Sequence, residues 1–295
     1  MTTAAATGVS HYIVHGTPNW ADLHTSDAEV AHGFYGSLLG WSMRSRFSLG
    51  PATSAGGNNH RSRHETRLTL MAMCDGRPSA EIIERDELFA ELTLPSRWYP
   101  HIYVADILAT LREVEAAGGT VLRSPQTRGG MATVATVLDP CDALFSLWQS
   151  RDQTGNPLLE STGALRWIEL ETPDVDAALS FYSRVFDWTV DQDVWDEESC
   201  DQIEGYSVLR TSIGPVAGVI TPTIPDIPAS WCPAFSVDEV DVMTRQATEL
   251  GGLVITDPYD VPIGRQSVLL DPGGAVFALM GPRRDEVHPH LRLDW

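Results

Sequence analysis

The sequence predicts an α+β protein of two related domains in tandem, each reading strand–helix–strands twice over. Three observations carry this expectation. Trp20, Thr25, Asp27, Phe34, Tyr35 and Trp41 return as Trp167, Thr172, Asp174, Phe181, Tyr182 and Trp188, each 147 residues later. Arg97-Trp98-Tyr99-Pro100 finds a counterpart in Ser230-Trp231-Cys232-Pro233. In each half, a strand-like run passes into an apolar stripe of helical period. The 295 residues are chain enough for two domains with a core each. The expected layout is a lead-in at 1–16, a first domain at 17–150, a polar linker at 151–162, a second domain at 163–284 and a tail at 285–295.

Taken in order, Trp20 to His24 is the first strand, and alternation puts Trp20, Asp22 and His24 on one face. Ser26-Asp27-Ala28-Glu29 has the form of a capping box. Val30, Phe34 and Leu38, flanked by Ala31, Tyr35 and Leu39, give the helix its apolar face. Gly40 ends that helix and Trp41 opens the next strand. In the second copy Trp167 to Glu171 is the strand, and Thr172-Pro173 offers an N-cap with a proline in the first turn. The other repeated segment reads as a strand, a helix closed by Gly118-Gly119 or Gly251-Gly252, and an extended loop holding Ser124-Pro125 or Asp257-Pro258. Strand pairs around Leu138-Asp139-Pro140 and Leu270-Asp271-Pro272 complete each half.

Composition excludes several function classes. A formal charge of −20 repels phosphate backbones and anionic lipid, so no nucleic acid and no membrane partner is expected. The chain has no lysine, which excludes Schiff-base chemistry and a P-loop. Its four cysteines, at 74, 141, 200 and 232, form no CxxC pair and read as incidental thiols. No apolar run is long enough to span a bilayer and Met1 to Ser10 lacks a signal-peptide pattern, so a cytoplasmic protein is expected. His288-Pro289-His290 reads as part of a polar tail, Gly56 to His60 as a loop, and Arg61, Arg63 and Arg67 as a solvated face.

The strings TSDAEVAHGFYGSLLGW and ETPDVDAALSFYSRVFDW resemble the opening of a module of the vicinal oxygen chelate superfamily, which includes glyoxalases, bleomycin-resistance proteins and extradiol dioxygenases. The stretch from Trp231 to Met280 is similar to that family's second module almost throughout. The resemblance spans about 17–149 and 163–281. It implies four βαβββ modules, paired so that each domain is a half-open mixed β-sheet around a cavity. It also implies two kinds of relative, metalloenzymes and metal-free binders of drugs such as bleomycin.

Metal-dependent relatives place a His or Gln seven residues before the helix-start Asp; here that place is taken by Trp20 and Trp167, and indole cannot ligate a metal. The resemblance puts the second-module ligand near Tyr99 and Cys232 and the closing Glu at Ser146 and Ala278. A catalytic divalent centre needs about three N, O or S ligands. No metal and no cofactor is therefore expected.

The first domain's concave face is expected to carry Trp20, Asp22, His24, Tyr99, His101 and Tyr103, with Ser146 and Trp148. Aromatic walls with a few polar groups suit a planar, partly apolar ligand, and Asp22, His24, Tyr99 and His101 could serve proton transfer. Each histidine alone has an equally plain role, in solvent or as a satisfied core group. The second domain's face carries Trp167, Glu169, Glu171, Cys232, Ala234, Ser236, Ala278 and Met280. Two roles are open to Glu169: a buried acid with a raised pKa, or a structural bond to Arg265 or a backbone N–H. Trp20, Tyr103, Ser146, Trp148, Trp167, Glu169, Cys232 and Met280 are the expected ligand-binding residues. The leading expectation is a metal-independent protein, monomer or homodimer, that binds a hydrophobic aromatic metabolite or antibiotic as a carrier, resistance or biosynthetic helper protein. A cofactor-free acid–base tailoring enzyme is the alternative, and a metal enzyme with displaced ligands is a third.

Overall fold

The computed structural model describes residues 13–49, 66–85, 89, 95–128, 130–151, 161–191, 205–222, 228–261 and 263–283. In the first half the elements are β1 (Pro18–Thr25), α1 (Ala28–Leu39), β2 (Ser42–Leu49), β3 (Thr66–Cys74), β4 (Arg77–Glu84), β5 (Arg97–Tyr103), α2 (Ile107–Ala116), β6 (Thr120–Arg128), β7 (Ala132–Leu138) and β8 (Leu144–Ser150). The second half repeats them as β9 (Leu165–Glu171), α3 (Val175–Phe186), β10 (Thr189–Asp191), β11 (Ser207–Thr211), β12 (Gly214–Ile220), β13 (Ser230–Ser236), α4 (Val240–Glu249), β14 (Leu253–Val261), β15 (Gly264–Leu270) and β16 (Val276–Gly281). Each half is one open, eight-stranded mixed sheet, in the orders β2-β3-β4-β1-β5-β8-β7-β6 and β10-β11-β12-β9-β13-β16-β15-β14. Two βαβββ modules thus share each sheet, joined through the antiparallel central pairs β1–β5 and β9–β13. Among the described residues no helix is long and apolar enough to cross a membrane.

Local chemistry explains where the elements start and stop, and it corrects three expectations. The N-cap of α1 is Asp27, not Ser26: Asp27 is extended at φ −142 and ψ 94, and its carboxylate accepts from Val30 N–H at 2.9 Å. Asp174 does the same for Ala177 N–H, so Pro173 precedes the helix, and Thr172 Oγ1 accepts from Asp174 N–H. The Ser124-Pro125 and Asp257-Pro258 stretches are not loops; they lie inside β6 and β14. Proline has no N–H for the ladder, so register breaks there, between Arg123 and Gln126 and between Thr256 and Tyr259, and the strand bulges instead of ending. Gly40 closes α1 at φ 67 as expected.

Alternation along β1 and β9 splits each sheet into two faces. Ala21 and Leu23, with Ile168 and Leu170, join one continuous core that includes the helices of both halves. Hydrogen bonds stitch that core across the two domains. Tyr35, on α1, donates to Asp271 Oδ2 in the other half at 3.0 Å and accepts from Trp98 Nε1 at 2.7 Å. Tyr182 repeats this with Asp139 at 3.0 Å and Trp231 at 3.1 Å. Trp188 Nε1 donates to Gly16 O at 2.9 Å, and Gly16, at φ +84, sits so close that a Cβ there would lie 2.5 Å from that nitrogen. Removing one such hydroxyl strands a buried indole N–H and a buried carboxylate oxygen. Tyr35→Phe should therefore lower unfolding stability by about 2 kcal/mol in a denaturant titration; an unchanged midpoint would show that the hydroxyl adds nothing.

Candidate functional site

The opposite, concave faces carry the candidate chemistry. In the first domain the register sets the rows. Asp22 on β1 lies opposite Tyr99 on β5 and Glu81 on β4. Trp20 lies opposite His101, which pairs with Ser146 on β8. His24 lies opposite Arg97. Trp20, Asp22, His24, Tyr99, His101, Tyr103, Ser146 and Trp148 are all buried, so strand alternation delivers every expected residue to one face.

Asp22 is the hub. Its Oδ1 accepts from Trp20 Nε1 at 2.9 Å. Its Oδ2 accepts from Arg128 Nη1 at 2.7 Å and from Tyr99 O–H at 3.3 Å, and lies 2.8 Å from His101 Nε2. The other arm of Arg128 bonds Glu81. Burial alone would raise the Asp22 carboxyl; the guanidinium of Arg128, then His101, outweigh it and hold Asp22 well below the usual carboxylate range. Burial pushes His101 below its ordinary value even though Asp22 pulls the other way. At neutral pH the hub is thus a fixed anion clamped by a guanidinium, with a neutral imidazole beside it. His24 Nε2 is 2.8 Å from Tyr99 O–H, in a hydrogen bond whose direction follows the tautomer.

Aromatic rings wall this network. Trp20 stacks on Trp148 with centroids 5.8 Å apart, Tyr99 stacks on His101 at 5.6 Å, and Phe89 lies over His24 at 3.7 Å. Tyr103 and Trp148 cluster with Ile13. Ser146 donates to Thr136 Oγ1 at 3.3 Å.

The second domain fills the equivalent face differently. Glu169 occupies the repeat position of Asp22 but, among the described residues, has no cation beside it. Its bond is not to Arg265, which turns to the other side of β15 and pairs with Asp241 at 2.6 Å and Asp260 at 3.0 Å. Glu169 instead hydrogen-bonds Tyr206 and Gln266. Burial, against those bonds and reinforced by Glu171, pushes its carboxyl up to about 7. Tyr206 also accepts from Trp167 Nε1 at 3.2 Å. Its ring crosses β12 at Gly218, where a Cβ would fall 1.9 Å from the hydroxyl. Cys232 and Met280 are buried in the same cluster, and burial raises the Cys232 thiol.

Arg128, Glu81, Phe89, Tyr206 and Gln266 were not among the sequence candidates. Arg128 was reachable: the 133-residue offset that relates Trp98 to Trp231 pairs it with Val261, a cation against an aliphatic side chain. Glu81, on β4, and Tyr206, just before β11, come from segments that no repeat in the sequence aligns. The HPH tract of the tail, the 56–60 loop, Arg61, Arg63 and Cys200 lie outside the described residues, as does the Arg67 side chain.

The metal expectation can be tested on the donors. Register moves the second-module position from Tyr99 and Cys232 to His101 and Ala234, two residues on. The rows are then Trp20, His101, Ser146 and Trp167, Ala234, Ala278. Neither row supplies three ligands, and among the described residues no three His, Cys, Asp or Glu side chains converge as a metal site. These residues do not fit the family's metal.

Comparison with known proteins agrees with this architecture. Residues 17–147 match the family described as Glyoxalase/Bleomycin resistance protein/Dioxygenase superfamily, and residues 167–280 match the glyoxalase-like domain. The "Putative glyoxylase CFP32" of Mycobacterium tuberculosis is 34% identical over 270 residues, 90% of this chain and 95% of that one. The "Anthracycline biosynthesis protein DauV" of Streptomyces sp. (strain C5) is 29% identical, over 93% of this chain and 95% of that one. The Mn(II)-bound glyoxalase of Novosphingobium aromaticivorans shares the fold at 16% identity and a TM-score of 0.59, covering 91% of this chain and 83% of that one. The chain belongs to the glyoxalase/bleomycin resistance protein/dioxygenase superfamily, as a tandem two-domain member.

Proposed function

We propose that the first domain binds a planar, largely apolar aromatic molecule without a metal and without converting it. The protein then acts as a carrier, resistance or biosynthetic helper protein in aromatic secondary metabolism. One observation carries this reading: Asp22, at the centre of the concave face, is fully engaged by Arg128, Trp20, Tyr99 and His101. A carboxylate held that far below its usual range is a poor proton acceptor. The same face is walled by the rings of Trp20, Trp148, Tyr99 and His101, a lining whose chemistry suits a polycyclic ring system. Likeness to a protein named for anthracycline biosynthesis favours that ligand class.

A second reading, acid–base catalysis, is favoured by one contact, the 2.8 Å hydrogen bond between Tyr99 and His24. An anthracycline aglycone titrated into the protein separates the two. Saturable quenching of tryptophan fluorescence, weakened at least tenfold in Trp148→Ala, with the aglycone recovered unchanged by mass spectrometry, is the expected result. A new product mass that disappears in His24→Ala would replace the carrier with an enzyme, and an absence of quenching would remove the aromatic ligand altogether.

A further inference from the structure

Arg97 stands apart among the arginines. It lines a cavity of about 90 Å³ where the ends of the two central strand pairs meet, together with Pro95, Ser96 and Leu144 from one half and Ser230, Trp231 and Val276 from the other. Its Nε is buried and meets no partner, and no carboxylate pairs with its guanidinium among the described residues. Arg85 approaches the same wall, with Nη2 3.5 Å from Ser96 Oγ, and its Nε is likewise buried without a partner. Acidic residues outnumber arginines 40 to 20 in this chain, and Arg128, Arg184, Arg210 and Arg265 all have carboxylate partners. Here Arg85 reaches Ser96, Arg97 lines the cavity beside it, and among the described residues neither has a carboxylate partner.

We infer that this junction cavity is a binding site for a small oxyanion, with Arg97 as its principal donor and Ser230 and Arg85 in support. Two like charges kept partly out of water need a counter-charge. A guanidinium presents paired N–H groups that match the two oxygens of a carboxylate or phosphate. Burial without a partner also disfavours the charged form of Arg97, a cost that a bound anion would reverse. The cavity, of about 90 Å³, has room for a small anion. The pocket lies where the two halves meet, at the edge of the first domain's concave face, with Arg97 beyond Tyr99 on β5. The repeat places Ser230 where the first half has Arg97, so only one half contributes the cation.

Isothermal titration of the full chain with inorganic phosphate and, separately, with acetate, at constant ionic strength in chloride, tests this. Saturable binding of one or both anions to the wild type is expected, with the tighter of the two identifying the oxyanion class. Affinity should fall at least tenfold in R97Q and more modestly in S230A, whose hydroxyl can be removed with little risk to folding. No saturable binding beyond chloride, or equal affinity in wild type, R97Q and S230A, would overturn the site. If R97Q does not fold, R85Q replaces it alongside S230A, with a severalfold loss expected and affinity equal to wild type overturning the site.

Discussion

Arg128→Met is expected to destabilise the protein by about 3–5 kcal/mol at neutral pH, because it strands two buried carboxylates. Asp22 and Glu81 are nearly inaccessible, whereas the arginine that neutralises both is only about one-fifth exposed. The sign of the pH effect follows from the shifts. In the wild type Asp22 is depressed, so its stabilisation is present above its unfolded pKa and is lost as pH falls through the lower folded value. In the variant the guanidinium, the larger of the two opposing charges, is gone and burial dominates, so the Asp22 carboxyl binds a proton more readily folded than unfolded. The contribution of Glu169 is common to both proteins, so as pH falls from 7.5 towards 5 the variant regains more stability than the wild type. Denaturant titrations of both proteins at those two pH values should show the gap narrowing on acidification. A gap that is small, or independent of pH, would mean that Arg128 is a peripheral contact and that Asp22 is not the clamped anion on which the carrier reading depends.

The repeat made the architecture legible because apolar spacing and turn residues survive in both copies. Trp20 and Trp167, or Tyr35 and Tyr182, hold the same structural places. Strand alternation was enough to put Asp22, His24, Tyr99 and His101 on one face. What could not be read was the long-range partner of each polar group. Whether Asp22 meets an arginine depends on how far β6 runs, and a proline inside that strand made it look like a loop. The cross-domain bonds of Tyr35 and Tyr182 were hidden for a related reason: sequence shows which residues form a helix's apolar face, not which half of the molecule covers it. Arg265 illustrates the converse error, since the sequence offers this cation of the second module as a partner for Glu169, and alternation sends it to the opposite side of β15.

Glu169→Gln should make the protein more stable at pH 8, by up to about 3 kcal/mol. The buried carboxyl has a folded pKa of about 7 against 4.5 for the free group. Between those values the folded state binds more protons than the unfolded state, so stability falls as pH rises through that window. A difference of roughly 2.5 pKa units corresponds to about 3 kcal/mol at 1.36 kcal/mol per unit. An amide keeps a donor and an acceptor for Tyr206 and Gln266 but never acquires the charge. Wild type and variant should therefore be alike near pH 4.5 and diverge progressively towards pH 8 in thermal or denaturant unfolding. Parallel profiles across that range would mean that Glu169 is hydrated or paired in solution. The same repeat position then has opposite electrostatics in the two halves. Arg128 makes Asp22 a permanent anion, whereas Val261, its counterpart in the second half, leaves Glu169 a weak acid that can donate a hydrogen bond near neutrality. The residue across the sheet, more than the acid itself, decides which kind of polar group each concave face presents to a ligand.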